Sequence, residues 1–297
     1  MLKDILHIPN NICTFKNMDS SSFQEMTNPA SSVTGGRSGE NCPQMALGQN
    51  QSLKVLSFPS IVKQQGHLEL SAILAGMGLT DEQRRAVEFA TRGQRENPMW
   101  GIMREGRITS SNFGVLLPAL QSGREVSSSA ISRLIEPRSL EHVPAIKWGI
   151  QNEEKARKAF EEEKQVVVQD SGLWLSKSGV LGASPDGLVG STELVEIKCP
   201  YSARDMTIEE AVSELDYFFL EKVGEDYQLR QNHDYWHQIQ GQIHIAGRDV
   251  CYFVVWTTKD RVIVPIKRDK EWQPNLQLLE NFYESKLLPK LLNCAEH

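Results

Sequence analysis

The stretch SPDGLVGSTELVEIKCP, residues 184–200, places two carboxylates and a lysine around one short segment. Asp186 precedes Gly187, a pair typical of turns, which can hold a carboxylate at the end of a strand. Glu196 and Lys198 lie two residues apart in ELVEIKC, so in a strand they share one face while their apolar neighbours turn to the other. A charged pair among apolar neighbours is costly to bury unless it is paired or binds a cation. The stretch therefore predicts a strand that carries a functional site.

Residue types in this stretch favour metal-assisted hydrolysis. Carboxylates such as Asp186 and Glu196 repel one another, and a hard divalent cation, Mg²⁺ or alternatively Mn²⁺, relieves that repulsion through oxygen ligation. Such a cation polarises a phosphodiester oxygen and lowers the pKa of a bound water. Lys198 would orient that water or neutralise charge that develops on the phosphate. The short pattern alone leaves a second interpretation open, a hairpin with a surface Glu–Lys pair.

Other segments offer side chains of the same chemistry. Glu153, in the helical pattern GIQNEEKARKAFEEE, could add a third carboxylate or belong to a solvated helix face. Gln238 and Gln242 lie four apart in YWHQIQGQIHI, a spacing that puts them on one helix face. One of them could hold the attacking water or a substrate phosphate, and the alternative is an ordinary helix edge.

A separate segment, RITSSNFGVLL, predicts a short extended piece followed by a helix. Arg104, just before it, can contact a phosphate in a bidentate manner. Ser110 and Ser111 lie where the helix begins, and helix N-termini bind anions through free N–H groups. Ordinary N-capping by Thr109, Ser110 or Ser111 is the other interpretation.

Composition restricts the class of protein. The 297 residues carry a formal net charge of −6, which gives no global attraction to nucleic acid. Five scattered cysteines without a CxxC spacing argue against a disulfide framework or a zinc site and favour a reducing compartment. Three histidines near residue 240 lack the spacing of a metal site. With no signal peptide pattern and no apolar run of the ~20 residues that a membrane span needs, we expect a soluble intracellular protein without a membrane partner, nuclear if eukaryotic and otherwise cytoplasmic.

The chain divides into three parts by pattern. Residues 1–66 are predicted to be poorly ordered or extended, and 67–99 form a helical region in which Thr80 and Gln83 resemble a capping box. Residues 100–292 form the main domain, with strands predicted over KQVVVQD, GLWLSK, VLGASPDGLV and ELVEIKC, and a terminal helix over 269–292. The order of elements predicts an α/β fold with a mixed sheet flanked by helices.

Five motifs in order resemble one family. These are W…R-x-G-R-I-T-S-S, W-G-x-x-x-E, S-P-D-G-L, E-I-K-C-P and a helical Q-x-Q, spread from Trp100 to Leu288. Together they resemble the YqaJ-like viral recombinases, whose best-known relative is phage lambda exonuclease, within the PD-(D/E)XK nuclease superfamily. The resemblance implies a restriction-endonuclease-like core, two metal ions and degradation of linear double-stranded DNA. The N-terminal ~95 residues have no counterpart in it and form an extension.

Carried over by position, the resemblance implies roles for particular residues. Asp186 and Glu196 match the metal ligands and Lys198 the catalytic lysine, while Ile197 would offer its backbone carbonyl to the metal. The acidic helix residue corresponds to Glu153 and the motif glutamine to Gln238. The resemblance also implies a pocket for a terminal 5′-phosphate, to which Arg104, Ser110 and Ser111 belong. Phage members of the family form ring-shaped homo-oligomers. The resemblance leaves open whether this chain forms such a ring and whether it has a single-strand annealing partner.

The leading hypothesis is a Mg²⁺-dependent 5′→3′ exonuclease on duplex DNA ends, used in recombination or repair. An endonuclease of the same superfamily is the second hypothesis. A catalytically silent DNA-binding or protein-interaction module is the third.

Overall fold

In the computed structural model, residues 55–65, 69–136 and 142–295 are described, and the predictions for residues 1–54 lie outside that part. Eleven helices and nine strands occupy these ranges. The helices are α1 (Phe58–Gln65), α2 (Leu70–Met77), α3 (Asp81–Ala90), α4 (Pro98–Arg104), α5 (Phe113–Gln121), α6 (Ser128–Ile135), α7 (Pro144–Lys164), α8 (Ile208–Glu214), α9 (Asp234–Ala246), α10 (Pro274–Phe282) and α11 (Leu288–Ala295). The strands are β1 (Ile108–Thr109), β2 (Trp174–Leu175), β3 (Leu181–Ala183), β4 (Gly187–Val189), β5 (Glu193–Lys198), β6 (Leu220–Val223), β7 (Asp226–Leu229), β8 (Val250–Trp256) and β9 (Arg261–Lys267).

A four-stranded mixed sheet forms the centre, in the order β4-β5-β8-β9. β5 runs parallel to β8 and antiparallel to β4, and β8 runs antiparallel to β9. Helix α7 covers one face through Ala156 and Phe160, and α9 covers the other through Ile239 and Ile243, all four fully buried. The predicted α/β class and the mixed sheet between helices are confirmed. This packing buries β5 on both faces.

Smaller sheets flank the central one. β1, β3 and β2 form a three-stranded sheet in the order β1-β3-β2, and β6 with β7 forms a hairpin. The stretch VLGASPDGLV, predicted as one strand, is divided between β3 and β4, which belong to different sheets. KQVVVQD was also predicted as a strand, but among its residues only Gln169 forms a bridge, to Leu188.

The helical predictions fare differently at the two ends of the chain. Thr80 and Gln83 do form the capping box of α3, and α9 ends at Gly247 in a left-handed conformation. The terminal helix begins at Pro274 rather than 269 and is interrupted by a π-helical turn over 283–287. Within the range predicted to be extended or poorly ordered, residues 58–65 form a helix instead. The reason is packing, since Phe58 and Ile61 are buried in a cluster with residues of α2, α5 and the C-terminal helices. The three-part division of the chain stays a prediction.

No helix in the described part of the chain has both the length and the apolar character needed to cross a membrane.

Candidate active site

Strand β5 carries two of the predicted site residues at the centre of the sheet. As the strand alternation predicted, Val195, Ile197 and Cys199 pack toward α7. Leu194 packs on the α9 side, so Glu196 and Lys198 also face that helix. Glu196 is only 1% exposed. A carboxylate this deep in the protein needs hydrogen-bond donors or a cation to offset the loss of water.

Three donors surround the Glu196 carboxylate. Lys198 Nζ and Gln238 Nε2, the latter at 2.6 Å, both donate to its Oε1. Gln242 Nε2 donates to Oε2 at 2.7 Å. Burial lowers the pKa of Lys198, but the charge and hydrogen bond of Glu196 together with the charges of Tyr235 and Asp186 outweigh it, and the pKa is raised overall. Lys198 is therefore a positive charge at neutral pH.

Asp186 lies beside β5 because β4 is short. The pairing of β4 with β5 ends where Gly187 faces Val195, and the Asp186 side chain takes over from there. Its Oδ2 accepts a hydrogen bond from the backbone N–H of Ile197 at 2.7 Å. Burial, and then the charges of Glu196 and Glu153, raise the pKa of Asp186 well above its usual value. The carboxyl is thus in a strongly electronegative place.

The Asp186–Gly187 pair was interpreted as a turn signal that holds the carboxylate at the end of a strand, and the chain does bend at Asp186, directly before β4. Gly187 is the first residue of β4 and does not adopt a left-handed conformation. A Cβ at this position would lie 2.1 Å from Val168 Cγ1. Position 187 needs glycine because the segment that contains Val168 approaches closely. This close packing holds the adjacent Asp186 against β5.

The backbone of Ile197 faces the same opening. In a strand, the N–H and C=O of one residue point toward the same edge of the sheet. Since the Ile197 N–H meets Asp186 on the β4 side, its carbonyl is directed to that side as well. Two carboxylates and one carbonyl therefore supply oxygen atoms along this edge.

Glu153 reaches the site from α7. Burial raises its pKa, with Glu196 adding to the effect, while the nearby Arg95 acts in the opposite direction. Glu153 and Arg95 line a cleft of about 530 Å³, open solvent included, together with Ile197, Lys198 and residues of the α7 N-terminal turns. The predicted third carboxylate thus shares a cleft with the lysine of β5.

Arg95 and Gln94 are site residues that sequence reasoning missed. They lie in the 3₁₀ turn Gln94–Glu96, where Gln94 has a positive φ of 45°. Gln94 Nε2 donates to the carbonyls of Ser171, at 3.0 Å, and Pro185, at 2.8 Å. The turn is thereby attached to the residue preceding Asp186, which fixes Arg95 at the cleft. No local motif marks an arginine in such a turn.

Arg104 is buried and lies next to Ser184, which precedes Asp186 by two residues. Its guanidinium lies over the Trp100 ring at 3.9 Å, and Nη1 is 3.5 Å from Ser184 Oγ. Trp100 Nε1 also donates to Ser184 Oγ, at 2.9 Å. Burial lowers the pKa of Arg104 to about 9, which leaves it charged at neutral pH. Ser184 stands in the quoted SPDG motif, yet its hydroxyl was not singled out from the sequence.

The two predicted serines begin a 3₁₀ turn over Ser110–Asn112, and α5 starts only at Phe113. The interpretation of Ser110 and Ser111 as side-chain caps is wrong, because the cap position of the turn is Thr109 and no side-chain capping bond is formed. Ser110 is buried, and Ser111 Oγ lies 3.1 Å from Thr109 Oγ1. The turn packs against α9, where a Cβ on Gly241 would come within 3.4 Å of Ser110 Cβ.

The histidines of α9 have structural partners. His233 Nδ1 accepts from the N–H of Tyr235 at the helix start. His237 Nδ1 accepts from Trp272 Nε1, and His244 Nε2 lies 2.8 Å from the carbonyl of Asp269. Across the described ranges, no three or more His, Cys, Asp and Glu side chains form a group that could hold a metal ion.

Comparison with known proteins identifies related chains. Residues 99–249 match the family model described as the YqaJ-like viral recombinase domain. The alkaline nuclease of Orgyia pseudotsugata multicapsid polyhedrosis virus is 29% identical over 206 residues, 63% of this chain and 46% of the viral one. That of Autographa californica nuclear polyhedrosis virus is 28% identical over 233 residues, 71% of this chain and 53% of the viral one. The chain thus spans about half the length of the curated relatives that it matches.

Among solved structures, a similar fold occurs in LHK-Exo of Laribacter hongkongensis, crystallised in complex with dAMP. It is 23% identical, with a TM-score of 0.50, and the match covers 65% of this chain and 93% of that one. The likeness supports the same core arrangement of sheet and helices.

Proposed function

The chain belongs to the family of YqaJ-like viral recombinase domains, and from this premise we propose that it is a metal-dependent deoxyribonuclease. The reaction is hydrolysis of DNA phosphodiester bonds. The observation that carries the proposal is the clustering of Asp186, Glu196 and Lys198 around the end of β5, with Glu153 lining a cleft together with Lys198. The two viral relatives that match at 28–29% identity are named alkaline nucleases, which supports the same activity here.

The oxygen atoms at this edge fit a hard divalent cation. The pKa of Asp186 is raised well above its usual value by burial first and then by the negative charges of Glu196 and Glu153. A cation would relieve that repulsion, and carboxylate and carbonyl oxygens are the ligands that Mg²⁺ prefers. We propose that Asp186, Glu196 and the carbonyl of Ile197 hold Mg²⁺, with Mn²⁺ as a substitute and a second ion nearby. When bound, the cation supplies polarisation of the phosphodiester and activation of the attacking water.

The remaining chemistry falls to side chains of the chain itself. Lys198 stays charged, and from its place beside Glu196 it stabilises negative charge on the phosphate that is attacked. Gln238 holds the Glu196 carboxylate through Oε1. Glu153, whose pKa is raised by burial, faces Lys198 across the cleft and orients the attacking water through its carboxyl.

End recognition is the basis for proposing an exonuclease. Arg104 and Ser184 form a charged, hydroxyl-bearing spot two residues from Asp186, suited to a terminal 5′-phosphate. Ser110 and Ser111 belong to a turn that packs against α9, the helix that carries Gln238. We propose that this region binds the 5′-phosphate of duplex DNA and sets the 5′→3′ direction, for use in recombination or repair. A ring-shaped homo-oligomer and an annealing partner are further proposals from the family resemblance, tested by light scattering and co-purification.

One digestion experiment tests the proposal. Linear duplexes with 5′-phosphate or 5′-hydroxyl ends and a closed circular duplex are incubated with the protein and Mg²⁺. We expect rapid loss of the phosphorylated linear duplex, slower loss of the hydroxyl form and an intact circle. Asp186→Asn and Lys198→Ala should abolish cleavage, while Asp226→Asn, on the exposed β6–β7 hairpin, should not.

Other outcomes assign the alternatives. Cleavage of the circle at a rate similar to the linear duplex would indicate an endonuclease. Metal-dependent DNA binding without cleavage would indicate a silent module. Full activity of Asp186→Asn would remove the proposed site.

A further inference from the structure

Gln242 donates a hydrogen bond to Glu196 while its own carbonyl oxygen is left without a donor among the described residues. It lies fully buried on α9, one turn after Gln238, and donates from Nε2 to Glu196 Oε2 at 2.7 Å. Its own Oε1 is buried and has no hydrogen-bond partner within the described residues. A buried carbonyl without a donor destabilises the folded state. An apolar side chain of similar length would avoid this loss but would remove the donor to Glu196 Oε2. The amide is therefore retained for its contact with Glu196.

The orientation of this amide is fixed by its neighbour. If the amide were turned over, Oε1 would face the carboxylate oxygen and two acceptors would repel each other. Only the observed orientation presents an N–H to Glu196, and it leaves Oε1 unpaired.

The contact limits how Glu196 can present itself. Each carboxylate oxygen can accept about two hydrogen bonds. On Glu196, Oε1 already accepts from Lys198 and Gln238, whereas among the residues that the structure describes Oε2 accepts from Gln242 alone. Together the two glutamines hold the carboxylate plane, and one acceptor position on Oε2 stays open.

We propose that Gln242 is a positioning residue that orients Glu196 and leaves Oε2 available to a divalent cation. The inference rests on the proposed function, because it assigns the open position to the metal site of a nuclease. It deepens that function by adding a residue whose amide N–H orients a metal-ligating carboxylate while its own carbonyl oxygen stays unpaired.

Gln240 provides a matched control within the same helix. It is also fully buried, but both ends of its amide are paired, with Nε2 donating to the carbonyl of Lys267 and Oε1 accepting from the N–H of Asp269. Its role is to attach α9 to the end of β9. Replacing each glutamine by methionine, which is similar in length and apolar, separates the two roles.

The experiment compares Gln242→Met and Gln240→Met in the full chain. Urea unfolding without metal, Mn²⁺ titration by calorimetry and steady-state DNA cleavage are measured for each variant. For Gln242→Met we expect a lower urea midpoint, because the buried Oε2 of Glu196 loses its donor. We also expect Mn²⁺ affinity lower by about tenfold or more and a lower kcat with unchanged KM for DNA. For Gln240→Met we expect a lower urea midpoint with Mn²⁺ affinity close to that of the unsubstituted protein.

A second variant guards against a folding defect. Gln242→Leu removes the N–H donor without adding charge or a new ligand, so its Mn²⁺ affinity should also fall by about tenfold or more. The inference is overturned if either folded variant at 242 binds Mn²⁺ as the unsubstituted protein does, or if Gln240→Met lowers Mn²⁺ affinity as much as they do. Absence of Mn²⁺ binding and cleavage in the unsubstituted protein would instead overturn the proposed function itself.

Discussion

Substitution of Gly187 by alanine tests whether close packing at that position holds Asp186 in place. The new Cβ would lie 2.1 Å from Val168 Cγ1, whereas two carbon atoms in contact normally lie ~3.5–4.0 Å apart. Relief of the contact therefore needs a displacement of roughly 1.5 Å in β4 or in the segment that contains Val168. Val168 is only 3% exposed, so it has little room to move.

The expected cost follows from overpacking of a buried site. Gly187→Ala should lower the free energy of unfolding by about 1–3 kcal/mol. Because Asp186 is adjacent, a shift of about 1 Å should also lower the rate of DNA cleavage by roughly 100-fold. Urea unfolding followed by tryptophan fluorescence measures the first effect, and the digestion of 5′-phosphorylated duplex measures the second.

A compensating substitution isolates the cause. Val168→Ala removes two buried carbons and should by itself cost about 1.5 kcal/mol. In the double variant the clash is absent, so its destabilisation should fall short of the sum of the single effects by about 1–2 kcal/mol, and most of the activity should return. Gly101→Ala is the control, because nothing lies within 4 Å of its Cβ, and it should stabilise helix α4 by about 0.5–1 kcal/mol. Strict additivity in the double variant, or an unperturbed Gly187→Ala protein, would refute the reasoning.

Three further predictions concern charge. Because the pKa of Asp186 is raised in the folded state, the metal-free protein loses stability as pH rises from the usual pKa of a carboxyl group through the folded-state pKa. At pH 8 without metal, Asp186→Asn should therefore have a higher Tm than the unsubstituted protein. Mg²⁺ should raise the Tm of the unsubstituted protein only. Burial lowers the pKa of His233 to about 4, so the stability that is present above pH 6.5 should decline as pH falls toward 4. His233→Asn keeps a helix cap, and its urea midpoints at pH 5 and pH 7.5 should differ less than those of the unsubstituted protein. Arg95 lines the cleft without a side-chain hydrogen bond or ion pair to any described residue. In an Asp186→Asn background, Arg95→Ala should weaken duplex binding, measured by fluorescence anisotropy, and reduce the slope of log affinity against log salt by about 0.9. Arg85→Ala, on α3, is the control and should change neither.

The sequence alone was sufficient for the local features of the site. Alternation in ELVEIKC placed Glu196 and Lys198 on one face, and i,i+4 spacing placed Gln238 and Gln242 on one face of α9. These follow from the fixed periods of strands and helices, which no tertiary contact alters. The order of motifs also identified the family.

Only the tertiary structure determined what surrounds these residues. Arg95 is brought to the cleft by Gln94, whose carbonyl partners are 77 and 91 residues away in the chain. Gly187 is needed because Val168 approaches it, and Gln240 and Gln242 differ in role although both are buried glutamines on one helix. The physical reason is that hydrogen bonding and close packing depend on which distant segments meet, and a periodic pattern carries no record of its partners.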